Sequence, residues 1–196
     1  EHQNSRLDLK RIRAVIRGKE FEFYTSSGIF SKNRIDKGTE LLAENVIIND
    51  GDVVLDVGCG IGILGIVIAK SFPKTMVIMT DINRRAIDLA RLNIKLNRIN
   101  NIELGHGDLF VYIKEKFNAI VVNPPMKAGY KICFEIIEKS KNFLFQNGKL
   151  QLVALHNKGG KRLSKKMSEV FGNVNEITKK SGYRVYVSEV QNHLAL

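Results

Sequence analysis

Val53-Val54-Leu55-Asp56-Val57-Gly58-Cys59-Gly60-Ile61-Gly62 decides the fold of this 196-residue chain. Val53 to Val57 is short, apolar and β-branched, the composition of a buried strand. Glycines at 58, 60 and 62 follow at once, and Ile63 to Phe72 then reads as a helix ended by Pro73. Glycines between a strand and a helix let the backbone turn sharply and approach a ligand closely.

Outward from this stretch, strand-like and helix-like segments alternate, as in an α/β protein with a largely parallel sheet. Met76 to Thr80 is the next strand, and Asn83 can cap a helix running to about Asn97. In that helix Ile87, Ala90, Leu92, Ile94 and Leu96 form the inner face, with Arg84, Arg85, Arg91, Lys95 and Arg98 in solvent. Ile102 to Leu104 and Asn118 to Val122 supply two more strands. Residues 128 to 145 read as a helix with Ile132, Ile136, Ile137, Phe143 and Leu144 inward, and Asn147-Gly148 turns into a strand, Lys149 to Ala154. A basic helix at about 159 to 171 precedes strands near 174 to 178 and 184 to 190, an antiparallel pair. Before this core of 51–196, residues 1–50 read as an extension packed on it within one domain. Ile12 to Ile16 and Glu20 to Tyr24 flank Gly18-Lys19 as a hairpin, and Asp36 to Asn45 is a helix with Leu41, Leu42 and Val46 inward.

The composition, 44% hydrophobic, suits a soluble globular protein. Apolar runs fall well short of the roughly 20 residues that span a bilayer, and the first residues lack the apolar segment of a secretory signal. The reading is of a cytoplasmic protein without membrane contact, as a monomer or homodimer. Cys59 and Cys133 are too few for a disulfide framework and read as small buried thiols. No Cys/His cluster has metal-ligand spacing, so no metal is expected. Thirty-one Lys and Arg against 20 Asp and Glu give a net charge of +11, which favours a polyanionic partner such as RNA or DNA. The cations cluster at Lys10, Arg11, Arg13, Arg17 and Lys19, at Lys158, Lys161, Arg162, Lys165 and Lys166, and at Lys179, Lys180 and Arg184. A suitable fold would join them into one phosphate-binding rim.

Gly58, Gly60 and Gly62 alone also suit nicotinamide or flavin enzymes, so the acidic residues around them decide. Asp56 lies two positions before the first glycine. There a carboxylate repels a dinucleotide pyrophosphate but suits the cationic amino-acid end of S-adenosylmethionine. Asp81 ends the second strand, where a carboxylate can accept from both ribose hydroxyls. Asp108 follows the third and could accept from the adenine amino group, with Ile82 and Leu109 against the ring. Successive acids at strand carboxyl ends mark the edge where such sheets bind ligands.

At the fourth strand end stands Asn123-Pro124-Pro125-Met126. An exocyclic amine is a poor nucleophile because its lone pair is delocalised into the ring. The Asn123 side-chain oxygen and the Pro124 carbonyl could hold its two N–H bonds and aim the lone pair at a methyl group. Prolines, Pro125 included, stiffen the chain and offer carbonyls without competing donors. An ordinary turn after a strand is the alternative reading.

The run from Val53 to Gly65, with Asp81, Asp108 and Asn123-Pro124-Pro125, resembles the amino-methylating branch of the class I S-adenosylmethionine-dependent methyltransferases. Gly28-Ile29-Phe30-Ser31, Asp36-Lys37-Gly38-Thr39-Glu40-Leu41-Leu42 and the tail from Lys158-Gly159-Gly160 to Gly182-Tyr183-Arg184-Val185-Tyr186 are similar to the methyltransferase small (MTS) domain of ribosomal RNA guanine-N2 methyltransferases. The likeness covers about residues 10 to 190 and is strongest to short archaeal members, which lack the extra N-terminal domain of the bacterial enzymes. It implies a Rossmann-like, mostly parallel seven-stranded sheet with an antiparallel last strand and helices on both faces. It also implies that Phe30, Asp36 and Thr39 lie near the cofactor or target pocket. Many relatives carry a base-stacking aromatic where this chain has Met126. Met126 can still pack on a base face, and Phe30 or Tyr130 could supply the ring, though either could be a plain core aromatic.

The leading expectation is transfer from S-adenosylmethionine to a base amine in RNA, foremost guanine N2 of ribosomal RNA, with adenine and cytosine behind it. Asn123, Pro124 and Pro125 would do the positioning, and Phe30, Met126, Tyr130 and Lys158 would touch the substrate. A protein glutamine or small-molecule amine is the alternative acceptor, and a non-enzymatic RNA-binding module the third reading. His106 is expected in a loop beside the adenosine; His156 could reach the pocket mouth, but a polar loop residue is the better reading of it.

Overall fold

The structure, a computed structural model, describes residues 8–29 and 33–192. Strands β1 (Leu9–Ile16) and β2 (Lys19–Ser26) form an antiparallel hairpin, and helix α1 is Lys37–Asn45. The alternation follows as β3 (Val53–Val57), α2 (Ile63–Ser71), β4 (Met76–Asp81), α3 (Arg84–Leu96), β5 (Ile102–His106) and β6 (Phe117–Val122). Helix α4 (Tyr130–Asn142), β7 (Leu144–Leu155), α5 (Lys161–Phe171), β8 (Asn175–Lys180) and β9 (Tyr183–Glu189) complete it.

Seven strands form one sheet in the order β5-β4-β3-β6-β7-β9-β8. Neighbours pair in parallel from β5 to β7, and β9 inserts antiparallel between β7 and β8. The Rossmann-like architecture expected from the sequence is present. The sheet reverses strand order between β3 and β6, the place where such folds bind ligands at the carboxyl ends.

Two apolar layers flank the sheet. One joins its face to α1, α2, α3 and the hairpin through Leu42, Ile66, Val67, Met79, Phe21 and Phe23. The other joins the opposite face to α4 and α5 through Leu55, Ile120, Ile136, Leu163 and Met167. Helix α2 is buried from Ile63 to Ala69, because the hairpin and α1 cover the side that a surface helix would show to water.

Four local expectations need correction. The helix expected over 128–145 is α4, ending at Asn142, and Leu144 already belongs to β7. Phe143 leaves helical geometry and its ring stacks on Phe110 at 4.9 Å. Asn147-Gly148 is not a turn before a strand but lies within the twelve-residue β7. From Leu144 to Lys149 β7 spends five residues while β6 advances two, from Phe117 to Ala119; Asn147 takes φ 62°, and Gly148 packs where a Cβ would meet Phe145 O at 2.8 Å. In α3 the buried face is Ala86, Ile87, Leu89, Ala90 and Asn93, whereas Leu92 is exposed. The basic helix starts at Lys161, after a wide turn His156–Gly160 in which Gly159 has φ 104°. The expected hairpin forms, with its turn one residue before Gly18-Lys19, centred on Arg17 and Gly18, both at positive φ, and Lys19 already paired with Ile16.

Candidate active site

The glycine turn is pinned from below. The N–H of Cys59 donates to Thr80 O at 2.9 Å, and that of Gly60 donates to Asp81 Oδ2 at 2.8 Å. Asp81 Oδ1 accepts from Asn83 N–H at 2.8 Å, while the Asn83 side chain caps α3 as its sequence position suggests. Both Asp81 oxygens are thereby fixed in direction, and each keeps a lone pair for a further donor. Gly58 and Gly60 have φ of 67° and 57°, and a Cβ on either would meet no atom within 4 Å. Their outer side is open to a ligand, as a close-approach loop requires.

Asp56 is buried, with Oδ2 accepting from Gly65 N–H in the first turn of α2 at 3.0 Å. Burial pushes its pKa up to about 7, against the lowering effect of the Gly65 bond and with a further rise from the Asp81 charge. Burial also raises the Cys59 thiol well above its usual value, as do the charges of Asp56 and Asp81. In both, burial is the larger cause and the neighbouring carboxylates add to it.

Asn123 closes β6 beside this turn. Its Nδ2 donates to Asp36 Oδ2 at 3.1 Å and to Thr39 Oγ1 at 3.0 Å. Asp36 is at the same time the N-cap of α1, accepting from Thr39 N–H at 3.0 Å. A carboxylate only accepts, so the amide nitrogen must face Asp36, and Oδ1 is left as the acceptor on the other side. Pro124 O accepts from Met126 N–H at 2.9 Å across Pro125, whose φ of −77° and ψ of 77° make an inverse γ-turn. The Pro124 carbonyl thus keeps one lone pair rather than two. A cavity of ≈ 160 Å³ joins Asn123 and Thr39 to Ile29, Gly58, Gly60 and Leu64.

The other expected site residues are placed unequally. Asp108 and Ile82 are exposed on the same sheet edge, while Leu109 packs partly into the layer beneath α4. Met126 is turned inward, its sulfur 3.9 Å from the Cys133 thiol, and a Cβ added at Gly159 would collide with its methyl group. Tyr130 lies under Arg162, whose guanidinium carbon is 4.1 Å from the ring centre. Lys158 is exposed on the wide turn, and Phe30 lies outside the described residues. His156 Nδ1 is 2.6 Å from Tyr186 Oη, and His106 ends β5 rather than lying in a loop, with Nε2 2.8 Å from Ile82 O.

The basic clusters do not form one continuous rim. Arg11 and Arg13 both pair with Glu22, at 3.1 and 2.8 Å. Arg17 donates to Glu44 O at 2.7 Å, capping α1 at the end opposite Asp36. Lys161 and Lys180, by contrast, follow the carboxyl ends of β7 and β8 on the Asn123 edge. Among the described residues no three His, Cys, Asp or Glu side chains converge as metal ligands, and no helix is long and apolar enough to cross a membrane.

Sequence reasoning missed Asn93. It is fully buried, accepts from Tyr24 N–H at 2.6 Å, and donates to Tyr24 O at 3.1 Å and Ile61 O at 2.9 Å. One turn later Asn97 bonds Glu22 N–H and O in the same way. Two amides at i and i+4 substitute for the missing neighbour strand of β2 and tie the glycine turn to it. The spacing Asn93-x-x-x-Asn97 at the carboxyl end of an amphipathic helix was the available signal.

Comparison with known proteins agrees with this arrangement. The chain shares 35% identity over 175 residues with the uncharacterised protein YbxB of Bacillus subtilis, covering 87% of this chain and 86% of that protein. It is 32% identical over 172 residues to ribosomal RNA small subunit methyltransferase C of Hamiltonella defensa, spanning 86% of this chain and about half, 50%, of that longer protein. In structure it is similar to a Thermus thermophilus 16S rRNA N2 G1207 methyltransferase solved with AdoMet and guanosine, with a TM-score of 0.78 at 22% identity, over 93% of this chain and 51% of the other. The family model for the methyltransferase small domain matches residues 20–187, most of the chain. The chain therefore belongs to the methyltransferase small domain family.

Proposed function

We propose that the protein is a cytoplasmic S-adenosylmethionine-dependent methyltransferase that acts on the exocyclic amine of a base in RNA, foremost guanine N2 of ribosomal RNA. The observation that carries the reading is the orientation of Asn123: both amide N–H bonds are held from behind by Asp36 and Thr39, which leaves the carbonyl oxygen as an acceptor at the glycine turn.

The residues present fit the cofactor. Gly58 and Gly60 leave open space for a close-lying chain, Asp81 has lone pairs for ribose hydroxyls, and Asp56 would gain from a nearby ammonium. S-adenosylmethionine, when bound, supplies a methyl group made electrophilic by its sulfonium. Asn123 Oδ1 and Pro124 O then accept the two N–H bonds of the amine, which turns its lone pair out of the ring conjugation and toward that methyl. Donation to the Asp36 carboxylate polarises the Asn123 amide and makes its oxygen the stronger acceptor. No strong base is required, because the amine becomes acidic only as it gains the methyl group, and its proton then passes to water by way of the Asn123 oxygen. The similar ribosomal RNA methyltransferases and the net charge of +11 support RNA as the acceptor. The domain reading of residues 1–50 as an extension on a 51–196 core goes with this proposal, since α1 in the former supplies Asp36 and Thr39 to Asn123 in the latter.

The test is transfer of a labelled methyl group to total RNA stripped of its own modifications, with and without ribonuclease. Label that disappears with ribonuclease supports the reading, and label that persists on protein contradicts it.

A further inference from the structure

Tyr130 opens α4, and Lys161, Arg162 and Lys165 occupy the first turns of α5. Those helices follow β6 and β7, so both N-termini lie on the sheet edge that carries Asn123. Between them is a groove of ≈ 450 Å³ lined by Tyr130, His156, Asn157, Lys161, Arg162 and Lys165 among its residues. Its floor at Gly159 packs directly on Met126, the residue after Asn123-Pro124-Pro125.

Charge separates this groove from larger ones. The cavity of ≈ 640 Å³ at the hairpin mixes Arg13, Lys70 and Arg98 with Glu20 and Glu22. Another, of ≈ 490 Å³, mixes Lys37, Lys179 and Lys180 with Glu40 and Glu44. The α4–α5 groove has no carboxylate in its lining. Nearby Lys166 and Lys139 are paired with Glu138 and Glu135, whereas Lys161 and Lys165 form no ion pair among the described residues.

Arg162 is unusually well held for an exposed arginine. Its guanidinium carbon lies 4.1 Å from the Tyr130 ring centre and 5.6 Å from that of Phe134, while the side chain as a whole stays exposed. An exposed planar cation steadied by aromatic rings is a stacking platform for an unpaired base. The flanking lysines suit the phosphates on either side of it.

We propose that the α4–α5 groove carries the single-stranded RNA segment that adjoins the methylated nucleotide, with one base on Arg162 and its phosphates at Lys161 and Lys165. The proposal rests on the reading of the protein as an RNA methyltransferase and adds the path of the strand. A paired strand fits less well, because an A-form duplex hides its base faces and the target must leave its stack to reach Asn123.

The experiment measures binding of a short single-stranded RNA to the whole chain by fluorescence anisotropy across a salt series, with S-adenosylmethionine affinity by calorimetry alongside. Lys161→Glu combined with Lys165→Glu places acids in the first turns of a helix, where they favour its dipole, so the variant should fold. Its Kd should rise roughly tenfold or more, and the slope of log K against log salt should fall by about 1.4, the value for two phosphate contacts on a single strand. Arg162→Lys should weaken binding with the slope unchanged, since the charge stays and the plane is lost. Lys74→Glu, before the amino end of β4 on the opposite edge of the sheet, should change the slope little. An unchanged slope in the first variant, while the wild type binds and methylates RNA, overturns the strand path alone. A wild type that neither binds nor methylates RNA overturns both the path and the function beneath it.

Discussion

Asn123 Nδ2 stands 3.1 Å from Asp36 Oδ2, a contact between residues 87 positions apart that fixes which end of the amide faces the cleft. The same carboxylate oxygen caps α1 through Thr39 N–H at 3.0 Å. Asp36→Ala should therefore free the Asn123 amide to turn and cost about 1 kcal/mol as a lost cap. Turnover should drop roughly 10- to 100-fold, with the KM for the methyl donor changed little. Asp36→Asn keeps both a cap and an acceptor, so it should restore most of the stability and part of the rate. Steady-state kinetics with parallel thermal melts check this. A rate that follows the melting temperature alone would reduce Asp36 to a helix cap.

Asp56 sets a pH dependence. A carboxyl raised from 3.8 to about 7 on folding binds more protons in the folded than in the unfolded state between those values. Its contribution to stability is thus full below pH 3.8 and is lost as the pH rises through 7. Asp56→Asn keeps an oxygen for Gly65 N–H and removes the titration. Melts from pH 4 to 8 should be flatter for the variant, and at pH 8 the variant without donor should be the more stable by an amount on the order of a few kcal/mol. Its donor affinity should fall and no longer increase between pH 6 and 8.

Asn93→Ala strips Tyr24 N–H and O and Ile61 O of their partners in a buried place. The expected loss is about 2–4 kcal/mol in chemical denaturation. Donor affinity should weaken as well, because the Ile61 carbonyl anchors the glycine turn. Asn97→Ala, further from the turn, should destabilise without that second effect.

The glycines should separate into two kinds. Gly62 has φ 94° and a Cβ there would meet Met79 Cε at 3.0 Å, so Gly62→Ala adds crowding to backbone strain, about 1–3 kcal/mol in all. Gly58 has φ 67° and open space beside it, so Gly58→Ala should cost only about 1 kcal/mol. It should nevertheless weaken donor binding the more in proportion, as paired melts and calorimetry would register.

The middle of the sheet was legible in the sequence because β3, β4 and β6 are buried apolar runs closed by glycine, acid or Asn-Pro, and β3 to β6 start and stop within two residues of the expected positions. The hairpin at Arg17-Gly18 and the Asn83 cap were equally local. What sequence could not supply were contacts across long separations. The hold of Asp36 on Asn123 and of Asn93 on Tyr24 depends on how α1 and the hairpin fold back over the sheet. Asn147-Gly148 misled only in part: Asn147 does take positive φ and regular pairing with β6 and β9 starts at Lys149, but Leu144 already pairs with Phe117, so β7 begins before the turn residues. Met126 is half-buried beside Cys133 and Gly159, contacts made across the α4 and β7 connections that its place in the sequence does not show.

The most direct test of the central claim is nucleoside analysis of ribosomal RNA lacking its native methyl groups, after reaction with labelled donor and either the wild type or Asn123→Ala. The account predicts labelled N2-methylguanosine with the wild type, and a rate lower by roughly 10²–10³ in the variant at nearly unchanged donor affinity. Label on a ring nitrogen or on protein, or a variant that loses donor binding as fully as turnover, would contradict it.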